Sequence, residues 1–298
     1  GYSDVIKSSI DTENKYNIPL DAPTVSFKNE KLLKKSCTAY LKHLGIEKHV
    51  IKQAIDKALK AQKDYLLILA EKNRKIVKNA KKNNRMVILL SGRPYHIDPL
   101  IQHKISECIA DMGIDVITEN IVLYSNDDVF KELHSISQWA YPNRVFKAAH
   151  YVATSTENIF FVQLTSFGCG PDAFIIDEIN DVLKRRGKSL TLLKIDDVNN
   201  IGSLRLRIRS LVESLKFSGG ERRYIPFKTL PAFTKSEKNR TIIAPYFAEG
   251  YSELLPSLFS IMGYTLENLP HADKEAAEIG LKYANNEICY PATLVVGS

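Results

Sequence analysis

The hydrophobic pattern changes its period along the chain. From about Asn29 to Leu44, apolar residues recur at helical spacing (Leu33, Cys37, Leu41, Leu44), and Gly45 supplies a stop. A second helical pattern runs from about Glu47 towards Lys78, with Ile51, Ala54, Ile55, Ala58, Tyr65, Leu69 and Ile76 on its inner face. Unbroken, such a helix measures on the order of 45–50 Å at 1.5 Å per residue, which suits a strut beside or between domains. Upstream, residues 1–27 read as the tail of an earlier unit followed by an extended loop punctuated by Pro19 and Pro23.

At Arg85 the pattern turns into short apolar runs separated by amphipathic segments. Met86–Leu90, Asp115–Thr118, Ile159–Leu164 and Leu190–Ile195 read as buried strands. Between them, helices are predicted over about 98–112, over most of 127–153 (with Trp139), to about Arg186 with Gly187 as its stop, and over 203–215. This alternation predicts an α/β fold with a doubly wound parallel sheet. A polar connection with Gly and Pro follows over 217–239. A smaller α/β pattern then opens, with strands at 241–244 and 264–267 and helices at 251–262 and 272–283. The expected organisation is a basic helical arm over 1–85, a first lobe over 86–218, a linker over 219–239 and a second lobe over 240–298. Gly1 is not Met, and the chain stops inside the apolar run that begins at Leu294. Both ends are therefore expected to be cuts, and the second lobe to be truncated.

Composition narrows the class. Hydrophobic residues make up 44% and charged residues 25%, as in a soluble globular protein. No apolar run reaches the ~18 residues of a membrane span, and the first ten residues do not read as a signal peptide, so a cytoplasmic protein with no membrane partner is expected. Residues 31–85 carry 16 Lys or Arg against four acids (Glu47, Asp56, Asp64, Glu71); that net +12 leaves −5 for the rest of a chain of net +7. Such a stretch could meet a polyanion, but a solvated helix face is the simpler reading. With no zinc finger or stacking-aromatic motif, no nucleic acid is expected as a partner. The four cysteines (Cys37, Cys108, Cys169, Cys289) are widely spaced without a CxxC, which argues against a zinc module and fits reduced thiols.

The sharpest local feature is Phe167-Gly-Cys-Gly-Pro-Asp172, which follows a strand and opens a helix. Gly168 and Gly170 permit a tight turn, and Pro171 suits the first helical position. Cys169 is thus expected beside a helix N-terminus, where the partial positive charge favours a thiolate, the form a nucleophile or an iron ligand takes. Cys289 repeats the theme two residues before Pro291, with a plain buried cysteine as the alternative. Cys37 and Cys108 fall on apolar stripes and are expected to be core residues. The loop Ser91-Gly-Arg-Pro-Tyr-His-Ile-Asp-Pro99 also follows a strand. Its backbone N–H groups at Gly92 and the Arg93 guanidinium could hold an anion such as a phosphate. His96 could act as acid or base, or be a turn histidine without a charged role. There is no Walker motif, dinucleotide fingerprint, serine elbow or HExxH pair, and no sequence support for ATP hydrolysis by this chain alone.

The runs LLSGRPYHIDPLIQHKI, RVFKAAHYVA, VQLTSFGCGPDA, LKIDDVNNIGSLRLRIRSL and GLKYANNEICYPATLVVG together resemble the large bacterial acyl-CoA dehydratase activase-related proteins, or CoA-substrate-specific enzyme activases. The later region of these proteins looks like the subunits of 2-hydroxyacyl-CoA dehydratases and benzoyl-CoA reductases. The resemblance implies flavodoxin-like α/β lobes whose strand–helix cysteines converge on an iron–sulfur cluster. It also implies a partner activase with an actin-like ATPase fold that reduces the cluster at the expense of ATP, and a CoA thioester or similar substrate as electron acceptor. Cys169 and Cys289 match the motif cysteines, and Arg93, with Gly92 and His96, would position the anionic part of the substrate. Relatives carry the ATPase region upstream and a further cysteine shortly before the point that matches Gly1, so an incomplete ligand set, and no intact cluster, is expected in this chain. The competing class is a non-catalytic α/β scaffold that binds the activase or a CoA ligand without a cluster.

Overall fold

A computed structural model describes residues 2–135, 137–156, 158–166, 170–195, 201–217, 224–229, 231, 233–284 and 288–298. The chain divides into two units, residues 1–68 and 69–298.

The first unit is helical: α1 (Tyr2–Ile10), α2 (Thr12–Tyr16), α3 (Glu30–His43) and the beginning of α4 (Lys48–Lys82). Asn29 caps α3, its side chain accepting from the Leu32 N–H at 3.1 Å. Gly45, at φ +80°, turns the chain out of the helix. Leu33 and Ile51 are buried, and Lys34 pairs with Asp56 at 2.9 Å. Three expectations change here. The supposed tail forms two short helices. Ala54, Ala58 and Tyr65, expected on the inner face of α4, are exposed. Cys37, expected in the core, is half-buried, because few apolar side chains of this unit are fully covered.

In the second unit the last turns of α4 bury Ala70, Asn73, Val77 and Ala80, one stripe at helical spacing, while Lys72, Lys75 and Lys78 stay in solvent. Then come β1 (Val87–Ser91), α5 (Ile105–Ala110), β2 (Asp115–Thr118), α6 (Ala140–Thr154), β3 (Ile159–Thr165), α7 (Gly170–Lys184), β4 (Leu190–Lys194) and α8 (Ile201–Phe217). The four strands pair in parallel in the order β2-β1-β3-β4, that of the first four strands of flavodoxin-like folds. Strand alternation divides the core in two. Val87, Leu89, Ile159 and Phe161 pack with Val77 of α4 and with α6 and α7. Ile88, Leu90, Val162 and Leu164 pack with Ile105 and Ile109 of α5 and with Ile208 and Val212 of α8. The sheet is therefore covered on both faces, as a parallel sheet requires.

Past the connection, β5 (Thr241–Ala244) and β6 (Thr265–Asn268) form a two-stranded parallel sheet joined through α9 (Tyr251–Ile261), followed by α10 (Lys274–Tyr283) and α11 (Tyr290–Gly297). Asp273 caps α10 by accepting from the Ala276 N–H at 2.9 Å. The last two helices touch backbone to backbone: a Cβ on Gly280 would strike the Thr293 carbonyl, and one on Gly297 the Ala276 carbonyl.

Two predicted helices of the first lobe are shorter than expected. Of residues 98–112 only α5 is helical. Pro94 opens a 3-10 turn over Pro94–Ile97, Asp98 accepts from the Leu100 and Ile101 N–H groups at 2.9 and 3.2 Å, and His103 and Lys104 adopt φ of 51° and 58°, so the helix starts late. In 127–153, a 3-10 turn over Asp128–Glu132 precedes α6. Between them the N–H groups of His134 and Ser135 bond to the Glu178 carboxylate at 3.1 and 2.7 Å instead of to a helix.

Candidate functional site

In a doubly wound sheet the ligand crevice lies outside the carboxyl ends of the strands, where successive crossovers leave in opposite directions. Here that point is between β1 and β3, and Ser91 pairs in register with Gln163 across it. The loop after β1 carries Gly92, Arg93 and His96; the segment after β3 leads into α7.

One carboxylate ties these two segments together. Asp172, in the first turn of α7, is buried; its Oδ2 receives the Arg93 Nη2–H at 2.9 Å and its Oδ1 the Tyr141 hydroxyl at 2.9 Å. Thr165, at the end of β3, donates to Oδ2 at 3.4 Å. Arg93 also donates from Nη1 to the Tyr95 hydroxyl at 2.9 Å. Burial works against the Arg93 charge, but its bond to Tyr95 and the Asp172 charge more than restore it, so the guanidinium is held firmly charged. His96 is buried and accepts the Arg93 N–H at Nδ1 over 3.1 Å. Gly92 is demanded by this packing: a Cβ there would lie 2.5 Å from His96 Nδ1 and 2.9 Å from the Leu164 carbonyl oxygen.

Outside this network lie two depressions that share Trp139 and Pro171 as walls. The first, of about 430 Å³, is lined by Arg93, Pro94, Tyr95 and Tyr141 as well. The second, also about 430 Å³, is mostly apolar: Pro142 and Phe146 of α6, Phe174 and Ile175 of α7, and Ala292 of α11. Cys289 lines it too, as the N-cap residue of α11, with Pro291 in that helix's first turn. Cys289, which follows a helix and precedes Pro291 in the sequence, thus stands at a helix start on a pocket wall that Pro171, from the start of α7, also lines.

Cys169 and its neighbours Phe167 and Gly168 lie outside the described residues. Cys108, expected in the core, is only half-buried at the margin of the α5–α8 layer, because Ile105 and Ile109 take the fully covered positions of that short helix. Among the described residues no three His, Cys, Asp or Glu side chains group so as to hold a metal ion. One thiol on the pocket is not the roughly four thiolates of a typical cluster, so the described residues do not form a ligand set.

Sequence reasoning missed Asp172, Tyr141 and Trp139. Asp172 stood inside the glycine–proline run, and an acid in a first helical turn was the available signal. Tyr141 and Trp139 gave none, being joined to the site only by the way α6 packs. A second buried carboxyl, Glu119, follows β2 and has Arg144 Nη2 at 3.5 Å. Burial raises its pKa, and the Arg144 charge offsets this only in part.

Residues 1–122 match the family model described as the CoA enzyme activase uncharacterised domain, which supports the activase-related family. The matched part runs through β2 and ends before β3 and the Cys289 pocket. No curated protein matches the chain, and no solved structure does. Among the described residues no helix is long and apolar enough to cross a membrane.

Proposed function

We propose that this chain is a dehydratase- or reductase-like component of an ATP-driven iron–sulfur electron-transfer system acting on CoA thioesters or similarly hard-to-reduce substrates. The observation that carries the reading is the meeting of two helix starts on one pocket. Pro171, two residues after Cys169 in the chain, and Cys289 line the same mostly apolar depression beside the switch point of a parallel sheet. The match of residues 1–122 to a CoA enzyme activase domain points the same way. In this reading Cys169 and Cys289 are iron ligands completed by thiolates from elsewhere in the intact protein. Arg93, Gly92 and His96 shape the substrate side, and the electron donor is an activase with an actin-like ATPase fold.

The test is anaerobic iron analysis of the intact protein. Cys169→Ala and Cys289→Ala should each lower bound iron, and Cys108→Ala should leave it unchanged. Equal iron in wild type and the Cys169 variant removes the redox reading and leaves a scaffold that binds the activase or a CoA ligand.

A further inference from the structure

The depression walled by Arg93, Pro94, Tyr95, Trp139, Tyr141 and Pro171 is aromatic on three of its six residues. Trp139 is 59% exposed and Tyr95 44%. Two large rings therefore stand in solvent beside the switch point, where ligands of such sheets gather.

Most of this wall is fixed before any ligand arrives. The Tyr95 hydroxyl takes the Arg93 Nη1–H at 2.9 Å, and the Tyr95 ring meets His96 edge to face with centroids 4.6 Å apart. The Tyr141 hydroxyl is tied to Asp172 at 2.9 Å. Trp139 is the N-cap residue of α6, and its carbonyl accepts the Asn143 N–H at 3.2 Å. Pro94 opens the 3-10 turn and Pro171 stands in the first turn of α7, each with φ set by its own ring. Apart from the Trp139 rotamer, little freedom is left to lose on binding. A space of about 430 Å³ also suits a small molecule.

The chemistry of the wall selects among ligands. Aromatic walls often take organic cations, but no Asp or Glu lines this one and Arg93 is held charged in it, so an ammonium group would be repelled. An anion finds no other cation in the lining, and both Arg93 Nη groups are committed, one of them to the Asp172 carboxylate. An alkyl group would fill the space without stacking. A neutral flat ring gains from all the walls at once, because aromatic faces and a guanidinium plane both stack on it.

We propose that this depression binds a neutral, flat aromatic ring, that of a nucleobase or an aryl group, stacked on Trp139 and flanked by Tyr95 and Arg93. The inference rests on the Arg93 loop that the proposed function places on the substrate side, but it needs no cluster and no second cysteine.

The emission of Trp139, the single tryptophan, supplies the test. The protein is titrated with adenosine and, separately, with benzyl alcohol. Ribose and cyclohexylmethanol are the matched controls without a flat ring, and choline is the cationic control. At least one flat probe should change the emission saturably, and which one does so tells a nucleobase from an aryl group. The three controls should have no saturable effect. Isothermal titration of the probe that binds then compares variants. Trp139→Leu, which removes the ring from an exposed position, should weaken binding by about tenfold, the effect of one lost stacking partner. Trp139→Phe should keep most of the affinity. The proposal is overturned if neither flat probe saturates, if a control acts as strongly as the flat probes, or if Trp139→Leu binds as tightly as wild type. Should Trp139→Leu fail to fold, as circular dichroism would reveal, the comparison of flat probes with controls on wild type still decides the matter. None of these readings involves iron, so this proposal and the redox reading fail independently.

Discussion

Asp172 is the side chain whose loss should be felt most widely at the sheet's carboxyl edge. Its side chain is 4% exposed, its partner Arg93 is 21% exposed, and their contact is 2.9 Å. Asp172→Ala would leave a charged guanidinium facing an apolar gap. Breaking a buried pair from one side costs on the order of 3–5 kcal/mol. The partial exposure of Arg93 lets water screen the orphaned charge, so the lower end, about 3 kcal/mol, is expected. The bonds from Tyr141 and Thr165 lie within that figure rather than on top of it. Asp172→Asn keeps an oxygen for Tyr141 and should cost roughly half as much. Arg93→Met removes the opposite charge, and the double variant should recover part of the loss, with a coupling of about 1–3 kcal/mol. Urea unfolding followed by circular dichroism measures all four species. A loss below about 1 kcal/mol for Asp172→Ala, or strict additivity with Arg93→Met, would refute the claim that this pair ties the β1 loop to α7.

Gly92→Ala should lower stability by about 1–3 kcal/mol, since the added carbon meets His96 and a backbone carbonyl that cannot retreat; an unchanged thermal midpoint would contradict this. Gly280→Ala should cost more, because the added carbon would meet the Thr293 carbonyl group as well as the Thr293 Cγ2 methyl, and α10 and α11 should lose amide-exchange protection together. Glu119 has a folded pKa raised above that of an exposed glutamate. Its contribution to stability is complete below the unfolded value of about 4.3 and declines as pH rises through the folded value, so Glu119→Gln should flatten that alkaline-side decline in a pH series of urea midpoints. Trp139, the single tryptophan, shares a pocket wall with Cys289. An environment-sensitive aromatic label on Cys289 should shift or quench its emission, whereas the same label on Cys108 alone, in a variant lacking the other three cysteines, should do so less, because Cys108 packs with the α5–α8 layer on the other face of the sheet.

The parts of the fold that were legible in the sequence are those set by local apolar periodicity. β1, β2, β3 and β4 fall within about a residue or two of the runs that predicted them; the central strands β1 and β3, covered on both faces, carry near-continuous apolar runs. Where a polar group from far along the chain captures the backbone, the pattern misleads. Glu178 takes the N–H groups of His134 and Ser135, and nothing near residue 134 announces it. The face of α4 was misjudged for a similar reason. Ala70, Asn73, Val77 and Ala80 are buried because the sheet lies there, and Asn73 belongs to the stripe only because it bonds Thr118, 45 residues away. The site was half legible. Gly92, His96 and Cys289 stand at strand and helix ends, where sequence rules are strong, whereas the shared pocket wall of Trp139 and Pro171 is a product of tertiary packing.

The Arg93–Asp172 pair also changes how a substrate experiment on this loop must be read. An unpaired arginine after a parallel strand would meet an incoming anion with a full charge. Here both Nη groups are already committed, one to a buried carboxylate and one to Tyr95, and the pair as a whole is close to neutral. An anion can draw on Arg93 only by adding to the fork or by displacing Asp172, and displacement would strand a buried carboxylate. A fall in CoA-ester affinity in Arg93→Ala would therefore arise equally from a lost ligand contact or from a released loop. Asp172→Asn separates the two: it loosens the same tie while leaving the guanidinium charged and freer to reach a ligand. If Arg93 contacts the anion, affinity should fall in Arg93→Ala and hold or rise in Asp172→Asn. If Arg93 only positions the loop, both variants should lose affinity together.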